Sequence, residues 1–129
     1  TDWCGWCKRM DAETFTNPVI IDYINTHFYA VKLNAEQKEP ITFKGVKYEN
    51  ERADQRRGAH NFAIAILQGR MSYPSVAFFD ENLSLIYALP GYRDAAKMEP
   101  VLVFFNEEVY KTNPNLNEFT ANFQGRVGE

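Results

Sequence analysis

The spacing of apolar residues along the first third of the chain predicts two helices and then a strand. A first helix is expected from about residue 5 to residue 14. Asn17 followed by Pro18 marks the start of a second helix that ends near His27, because Asn is a favoured N-cap and Pro fits the first helical position. Residues 28–34 then alternate between two faces, and this two-residue period predicts a β-strand.

The middle of the chain reads as a hairpin, a helix and a pair of strands. Short apolar segments at residues 41–43 and 46–48 flank Lys44 and Gly45, which predicts a two-residue hairpin. A helix is expected over about residues 52–67, with Gly58 weakening its first half. Residues 74–80 then read as a buried strand opened by Pro74, and residues 83–89 as its antiparallel partner.

The last third predicts a helix and a short packed tail. The helix begins weakly at Asp94 and runs to about residue 110, and Pro100 either starts its regular part or kinks it. Asn115 and Glu118 resemble a capping box, with Phe119 on one face of the helix that follows. Burying a large apolar side chain such as Phe stabilises a protein by about 1.5–3 kcal/mol. We therefore expect both the last helix and the tail to lie against the body of the protein.

Composition narrows the range of functions. A chain of 129 residues, of which 45% are hydrophobic, is long enough for one domain with its own core. The net charge of −3 gives no general attraction to nucleic acid, and no apolar run approaches the ~20 residues of a membrane span. Neither nucleic-acid partners nor direct membrane insertion is therefore expected. Arg52, Arg56 and Arg57 are interleaved with acidic residues and predict a solvated helix face.

The two cysteines carry the candidate chemistry. They are the only ones in the chain, and they stand in the segment Trp3-Cys4-Gly5-Trp6-Cys7-Lys8. If a helix opens at Gly5, its unpaired N–H groups and dipole stabilise a thiolate at Cys4. Cys7 lies one turn further on, within reach for a disulfide. The spacing therefore predicts dithiol redox chemistry.

Three other interpretations of the cysteine pair each make a demand on the sequence. Structural zinc needs four ligands, and besides the two thiols the chain has only the distant His27 and His60. Covalent haem attachment needs His directly after the second cysteine, where Lys8 stands. A purely structural disulfide would close a very short loop and constrain the unfolded chain little. We therefore expect neither a metal nor another cofactor.

Several further motifs carry a resemblance to a known family. They are Asp2-Trp3-Cys4, Cys7-Lys8, Thr14-Phe15-Thr16-Asn17-Pro18, Tyr73-Pro74-Ser75, Phe78-Phe79-Asp80 and Gly91-Tyr92-Arg93-Asp94-Ala95. Together they resemble thioredoxin-like proteins, most of all the C-terminal periplasmic domain of DsbD-type thiol:disulfide interchange proteins.

The resemblance implies an α/β thioredoxin-like fold, with a central mixed sheet flanked by helices. The domain would span residues 1–110, with residues 41–48 as a hairpin insertion and 111–129 as a C-terminal extension containing a short helix. The family's leading central strand and its buried carboxylate would lie upstream of Thr1.

The resemblance also implies roles for the two cysteines and for the proline of the later motif. Cys4 would be the exposed nucleophile, and the less exposed Cys7 would resolve the mixed disulfide. Pro74 would be cis and would place backbone groups of Tyr73 beside Cys4 to pair with an extended substrate. The alternative for Pro74 is an ordinary trans proline that opens a strand.

The motif tryptophans, Trp3 and Trp6, would cover the sulfurs and contact substrate. The alternative for both is packing in the core or at a helix cap. Gly5-Trp6 is also a departure from the Gly-Pro dipeptide of thioredoxin.

The expected function is that of a thiol:disulfide oxidoreductase whose partners are protein thiols and disulfides. The resemblance favours a reductant of exported, periplasmic proteins that takes electrons from a membrane donor domain. The motif offers no adjacent His to stabilise a thiolate strongly, so we expect a potential nearer to thioredoxin's, about −270 mV, than to DsbA's, about −120 mV. There are two alternatives. One is a disulfide oxidase or isomerase, and the other is a non-catalytic module that docks peptides through its hairpin or tail.

Overall fold

The computed structural model describes residues 1–128, which form a mixed α/β structure and confirm the predicted fold class. The helices of the described chain are α1 (Gly5–Glu13), α2 (Pro18–His27), α3 (Asn61–Leu67), α4 (Ala95–Asn106) and α5 (Leu116–Asn122), with a 3-10 turn at Val109–Lys111. The strands are β1 (Ile41–Phe43), β2 (Val46–Tyr48), β3 (Ser75–Phe79) and β4 (Leu85–Pro90). Among the described residues, no helix combines the length and apolar character needed to cross a membrane.

Side-chain caps fix where α2, α4 and α5 begin. Asn17 accepts a hydrogen bond from the backbone N–H of Val19 at the start of α2, as its sequence predicts. Asn115 accepts one from Glu118 at the start of α5, which confirms the predicted cap. Asp94 caps α4. That helix begins at Ala95 and contains Pro100 in its interior, so the proline does not start it.

The hairpin of β1 and β2 forms as predicted. Ile41 pairs with Tyr48 and Phe43 with Val46 in an antiparallel register. The two turn residues both have positive φ, 52° at Lys44 and 78° at Gly45. A turn of this kind matches the twist of the flanking strands, which is why the two-residue connection is sufficient.

A second antiparallel pair, β3 and β4, is also confirmed, but the strand predicted over residues 28–34 is wrong. That segment has no regular secondary structure, and Tyr29 and Val31 are 104% and 89% exposed. A strand needs a neighbour for its N–H and C=O groups, and no described strand pairs with this segment. The sheets of the described chain are therefore two separate two-stranded pairs, rather than the continuous central mixed sheet that was expected.

The helix predicted over residues 52–67 forms only in its second half. Asn50 donates to the carbonyls of Gln37 and Gly58 and thereby closes a loop before α3. The loop brings Gly58 so close to the Arg52 carbonyl that an added Cβ would lie 1.8 Å from its oxygen. Arg52 itself donates to the Ala59 carbonyl, so the arginine cluster does not form a helix face.

The described chain divides into two compact units, and the first comprises residues 1–4 and 32–91. Its core is aromatic, since the ring of Phe43 lies 5.0 Å from that of Phe62 and 5.4 Å from that of Phe79. His60 is fully buried and accepts the Phe62 N–H through Nδ1. That nitrogen is therefore unprotonated, and Nε2 donates to the Glu39 carbonyl.

The second unit comprises residues 5–31 and 92–129 and is helical in its described part. Ile20 of α2 and Met98 and Val101 of α4 are almost completely buried. The Phe119 ring of α5 lies 5.4 Å from that of Phe104 in α4. The prediction that the tail lies against the protein is thus confirmed.

A buried carboxylate holds residues 126 and 127 against α4. Glu99 is only 5% exposed, and its oxygens accept the N–H groups of Arg126 and Val127 at 2.9–3.0 Å. A Cβ on Gly125 would lie 2.3 Å from Glu99 Oε1. Glycine therefore allows the backbone to approach this carboxylate closely.

Replacing Gly58 with alanine should destabilise the protein. The added Cβ would overlap a backbone carbonyl that cannot rotate away, and overpacking of this kind costs about 1–3 kcal/mol. Urea denaturation of Gly58→Ala measures the loss. The matched control is Gly5→Ala, where nothing lies within 4 Å of the new Cβ and alanine suits the helix better. Equal stability of Gly58→Ala and wild type would show that the loop is not packed as described.

Replacing Glu99 with glutamine should also destabilise the protein. The neutral amide is a weaker acceptor, and its NH₂ group cannot accept the backbone N–H groups that both carboxylate oxygens now accept. We expect a loss of about 1–3 kcal/mol and faster hydrogen exchange at Arg126 and Val127. Glu107→Gln, at an exposed position directly after the same helix, is the control. Unchanged exchange at both amides would contradict the proposed role of Glu99.

Candidate redox site

The two cysteines of the motif are joined by a disulfide. Cys4 and Cys7 are both disulfide-bonded, and the chain has no other cysteine, so the bond links Cys4 to Cys7. Cys4 is buried, with 4% of its surface exposed, whereas Cys7 is half-buried. The expectation that Cys4 is exposed and Cys7 less so is therefore wrong for the oxidised state. The motif specifies the spacing of the sulfurs, but it does not specify how exposed each cysteine is.

The start of α1 gives Cys4 its electrostatic environment. Gly5 is the first residue of the helix, so Cys4 directly precedes it. The first N–H groups of a helix have no intrahelical partner and, with the helix dipole, stabilise negative charge. The first turn of α1 contains no acidic residue to oppose this effect. A thiolate is therefore better stabilised at Cys4 than at Cys7, which lies further into the helix.

Trp3 is held by three side chains that are distant in sequence, and we call these four residues the Trp3 cluster. The indole Nε1 of Trp3 donates to both carboxylate oxygens of Glu36, at 2.9 and 2.8 Å. The guanidinium of Arg57 lies 4.0 Å from the centre of the indole ring, within cation–π distance. The ring of Tyr73 meets the indole edge-on at 5.8 Å. Trp3 is nevertheless 42% exposed, so its packing is partial.

Tyr73 connects the Trp3 cluster to the predicted cis proline. The Tyr73–Pro74 peptide bond is cis, which confirms the prediction and excludes the trans alternative. The Pro74 carbonyl accepts the Gly91 N–H at 2.8 Å. Within the part of the chain that the structure describes, the backbone of Tyr73 itself makes no hydrogen bond. Burial raises the pKa of the Tyr73 phenol, and the negative charge of Glu36 raises it further.

Trp6 is surrounded by a second set of side chains, here called the Trp6 cluster. The Tyr92 ring lies 5.3 Å from the indole, and the Arg9 guanidinium lies 5.2 Å from the Trp6 ring and 5.6 Å from the Tyr92 ring. Glu13 accepts from Arg9 Nε and from the Tyr92 hydroxyl, each at 3.0 Å. Trp6 remains 55% exposed. It is therefore packed on one side and open to solvent on the other.

The Trp6 cluster also fixes its own charge state. The pKa of Glu13 is lowered mainly by the hydrogen bond from Arg9 and secondly by the one from Tyr92. The same bond to Glu13 raises the pKa of Arg9. The pKa of Tyr92 is raised mainly by desolvation and secondly by its hydrogen bond to Glu13. At neutral pH the cluster consequently contains one ion pair and a neutral phenol.

Sequence reasoning found the tryptophans but missed the residues that hold them. Arg9 follows Trp6 by three positions and Glu13 follows Arg9 by four, and both spacings place side chains together on a helix. That signal was available in the sequence. Tyr92, Glu36 and Arg57 are brought to the tryptophans only by the fold. Arg57, expected on a solvated helix face, instead lies over Trp3.

A disulfide at a helix start and a cis proline opening a strand pair are the two features that the sequence resemblance to thioredoxin-like proteins predicts. The family model for the thioredoxin-like domain matches residues 1–106, and the chain belongs to this family. Neither the search of curated proteins nor the search of solved structures found a match. The family points to thiol–disulfide redox chemistry, which the Cys4–Cys7 disulfide supports.

The helix start predicts which thiol reacts first. In the reduced protein at mildly acidic pH, iodoacetamide should label Cys4 before Cys7, because only the thiolate reacts and Cys4 is nearer the helix end. Peptide mapping after short exposure times measures the order. The burial of Cys4 in the oxidised form makes the test demanding, since access alone favours Cys7. Equal labelling, or labelling of Cys7 first, would remove the assignment of Cys4 as nucleophile.

Proposed function

We propose that this protein is a thiol:disulfide oxidoreductase that reduces disulfides of exported proteins through Cys4 and Cys7. The observation that carries the proposal is the Cys4–Cys7 disulfide at the start of α1 in a thioredoxin-like domain. A disulfide between cysteines three positions apart closes a very short loop, so it adds little to the stability of the fold. Its position beside unpaired helix N–H groups suits reversible chemistry instead.

The exchange proceeds in two balanced steps. The Cys4 thiolate attacks one sulfur of the partner's disulfide, forms a mixed disulfide and releases the other partner sulfur as a thiolate. The Cys7 thiolate then attacks the Cys4 sulfur, restores the Cys4–Cys7 disulfide and releases the second partner thiolate. Two electrons pass to the partner, and a donor must return two electrons before the next cycle.

The residues around the cysteines support binding of an extended substrate. The unpaired backbone N–H and C=O of Tyr73 are available to pair with a polypeptide strand, as in β-augmentation. Trp3 and Trp6 each leave about half of an indole exposed beside a cysteine in the sequence. We assign substrate contact to these residues, with Pro74 holding Tyr73 in position.

The direction of electron flow rests on what the motif lacks. Strong oxidants of this class have a thiolate that is heavily stabilised, which makes the reduced form favourable. Here Gly5 and Trp6 separate the cysteines and offer no positive charge, and Lys8 is exposed to solvent. The reducing direction is therefore favoured over the oxidase and isomerase alternatives.

The cellular setting is proposed from the resemblance to the C-terminal periplasmic domain of DsbD-type proteins. In that setting the domain would lie in the periplasm or an equivalent exported compartment. It would receive electrons from a membrane donor domain and pass them to exported proteins, with apocytochrome c among the candidate substrates.

A cleft in the first unit favours a second candidate function, that of a peptide-binding module. It has a volume of about 560 Å³ and lies between the β1–β2 hairpin, α3 and the β3–β4 pair. Phe43, Phe62 and Phe79 line it, so it could accommodate an apolar side chain of a partner. Partner binding that persists without Cys4 would favour this function.

Activity and potential together test the proposal. With dithiothreitol as electron donor, the wild-type protein should accelerate insulin reduction, and Cys4→Ser should lose this activity because the attacking thiol is gone. Equilibration with glutathione buffers and thiol trapping should give a potential nearer about −270 mV than about −120 mV.

Cys7→Ser serves as the matched control, because it keeps the nucleophile and lacks only the resolving thiol. It should lose turnover and accumulate mixed disulfide. A potential near that of DsbA would overturn the reductant assignment in favour of an oxidase or isomerase. Insulin reduction that survives loss of Cys4 would overturn the redox role itself.

A further inference from the structure

We propose that the Trp6 cluster is a recognition surface for substrate segments that carry a large apolar side chain next to the reactive cysteine. In this account Trp6 makes the contact, and Arg9, Glu13 and Tyr92 are positioning residues that hold its ring. The inference rests on the proposed redox function and adds the class of polypeptide that the domain prefers.

The closed set of contacts keeps the Trp6 ring in place. Tyr92 packs against one part of the indole and Arg9 lies over both rings. Glu13 then ties Arg9 to the Tyr92 hydroxyl, so each partner is itself held. An exposed tryptophan that is already fixed loses little side-chain entropy when a partner binds, and binding is stronger for that reason.

Exposure and position make Trp6 the contact residue. It is 55% exposed although it stands between the two cysteines of the motif. A polypeptide whose cysteine reaches this pair must bring its neighbouring side chains close to residue 6. Tryptophan, tyrosine and arginine, the types found here, are also those that contribute most to binding at protein interfaces.

The charges of the cluster decide which side chains it favours. The positive charge of Arg9 is already paired with Glu13, and the low pKa of Glu13 keeps that pair ionised at neutral pH. A substrate carboxylate would have to compete with Glu13 for Arg9, so acidic segments gain little. The open indole offers apolar area instead, and a large apolar side chain would bury it.

Three peptide disulfides provide the test. They share one sequence and differ only in the residue that follows the cysteine, which is Phe, Ser or Asp. We expect kcat/KM for the Phe peptide to exceed that for the other two by about tenfold. The difference should lie in KM, since the surface binds substrate without taking part in the exchange.

Variants of the cluster separate recognition from structure. Trp6→Ala should remove most of the preference for the Phe peptide, and Trp6→Phe should restore part of it. Arg9→Ala and Tyr92→Phe should weaken the preference less, because the indole remains but is held less firmly. Lys8→Ala, an exposed neighbour outside the cluster, should retain the full preference. Circular dichroism confirms that each variant is folded.

The outcomes distinguish this inference from the function on which it rests. Equal kcat/KM for all three peptides, or a Phe preference that Trp6→Ala leaves intact, overturns the recognition surface while the redox function stands. A preference for the Asp peptide overturns the argument from charge. Failure of the wild type to reduce glutathione disulfide and all three peptides overturns the proposed function instead.

Discussion

The first turn of α1 is the constraint on which the site depends. A disulfide needs Cα atoms about 4.4–6.8 Å apart, and one helical turn brings residues three apart to a comparable distance. Because Gly5 begins the helix, the same turn lets Cys4 reach Cys7 and places unpaired N–H groups next to Cys4. Pairing of the sulfurs and stabilisation of the thiolate thus follow from one structural element.

The two tryptophans of the motif are held by the same types of side chain. Each has an arginine over its ring and a tyrosine in ring contact, and a glutamate completes each cluster. Two of the supports of Trp6 come from its own helix, whereas those of Trp3 are more than thirty residues away. Glu36 lies in the loop between α2 and β1, and Arg57 lies in the loop between β2 and α3, so the position of Trp3 depends on correct packing of those loops.

Local signals in the sequence predicted local structure well. Asn17 and Asn115 cap helices and Lys44-Gly45 forms the hairpin turn, because each of these effects acts within four residues. The cysteine pair and the cis proline were also predicted, through spacing and family resemblance. The strand at residues 28–34 was wrong because alternation alone cannot supply a pairing partner. The place of Arg57 depends on its contact with the distant Trp3, which single-sequence patterns do not contain.

The central claim is that Cys4 attacks the partner and Cys7 resolves the intermediate. Trapping tests it most directly: reduced Cys7→Ser and Cys4→Ser are each mixed with a peptide disulfide, and the adducts are mapped by mass spectrometry. The account predicts a stable mixed disulfide on Cys4 in Cys7→Ser and little adduct on Cys7 in Cys4→Ser. Faster or more complete trapping through Cys7 would contradict it.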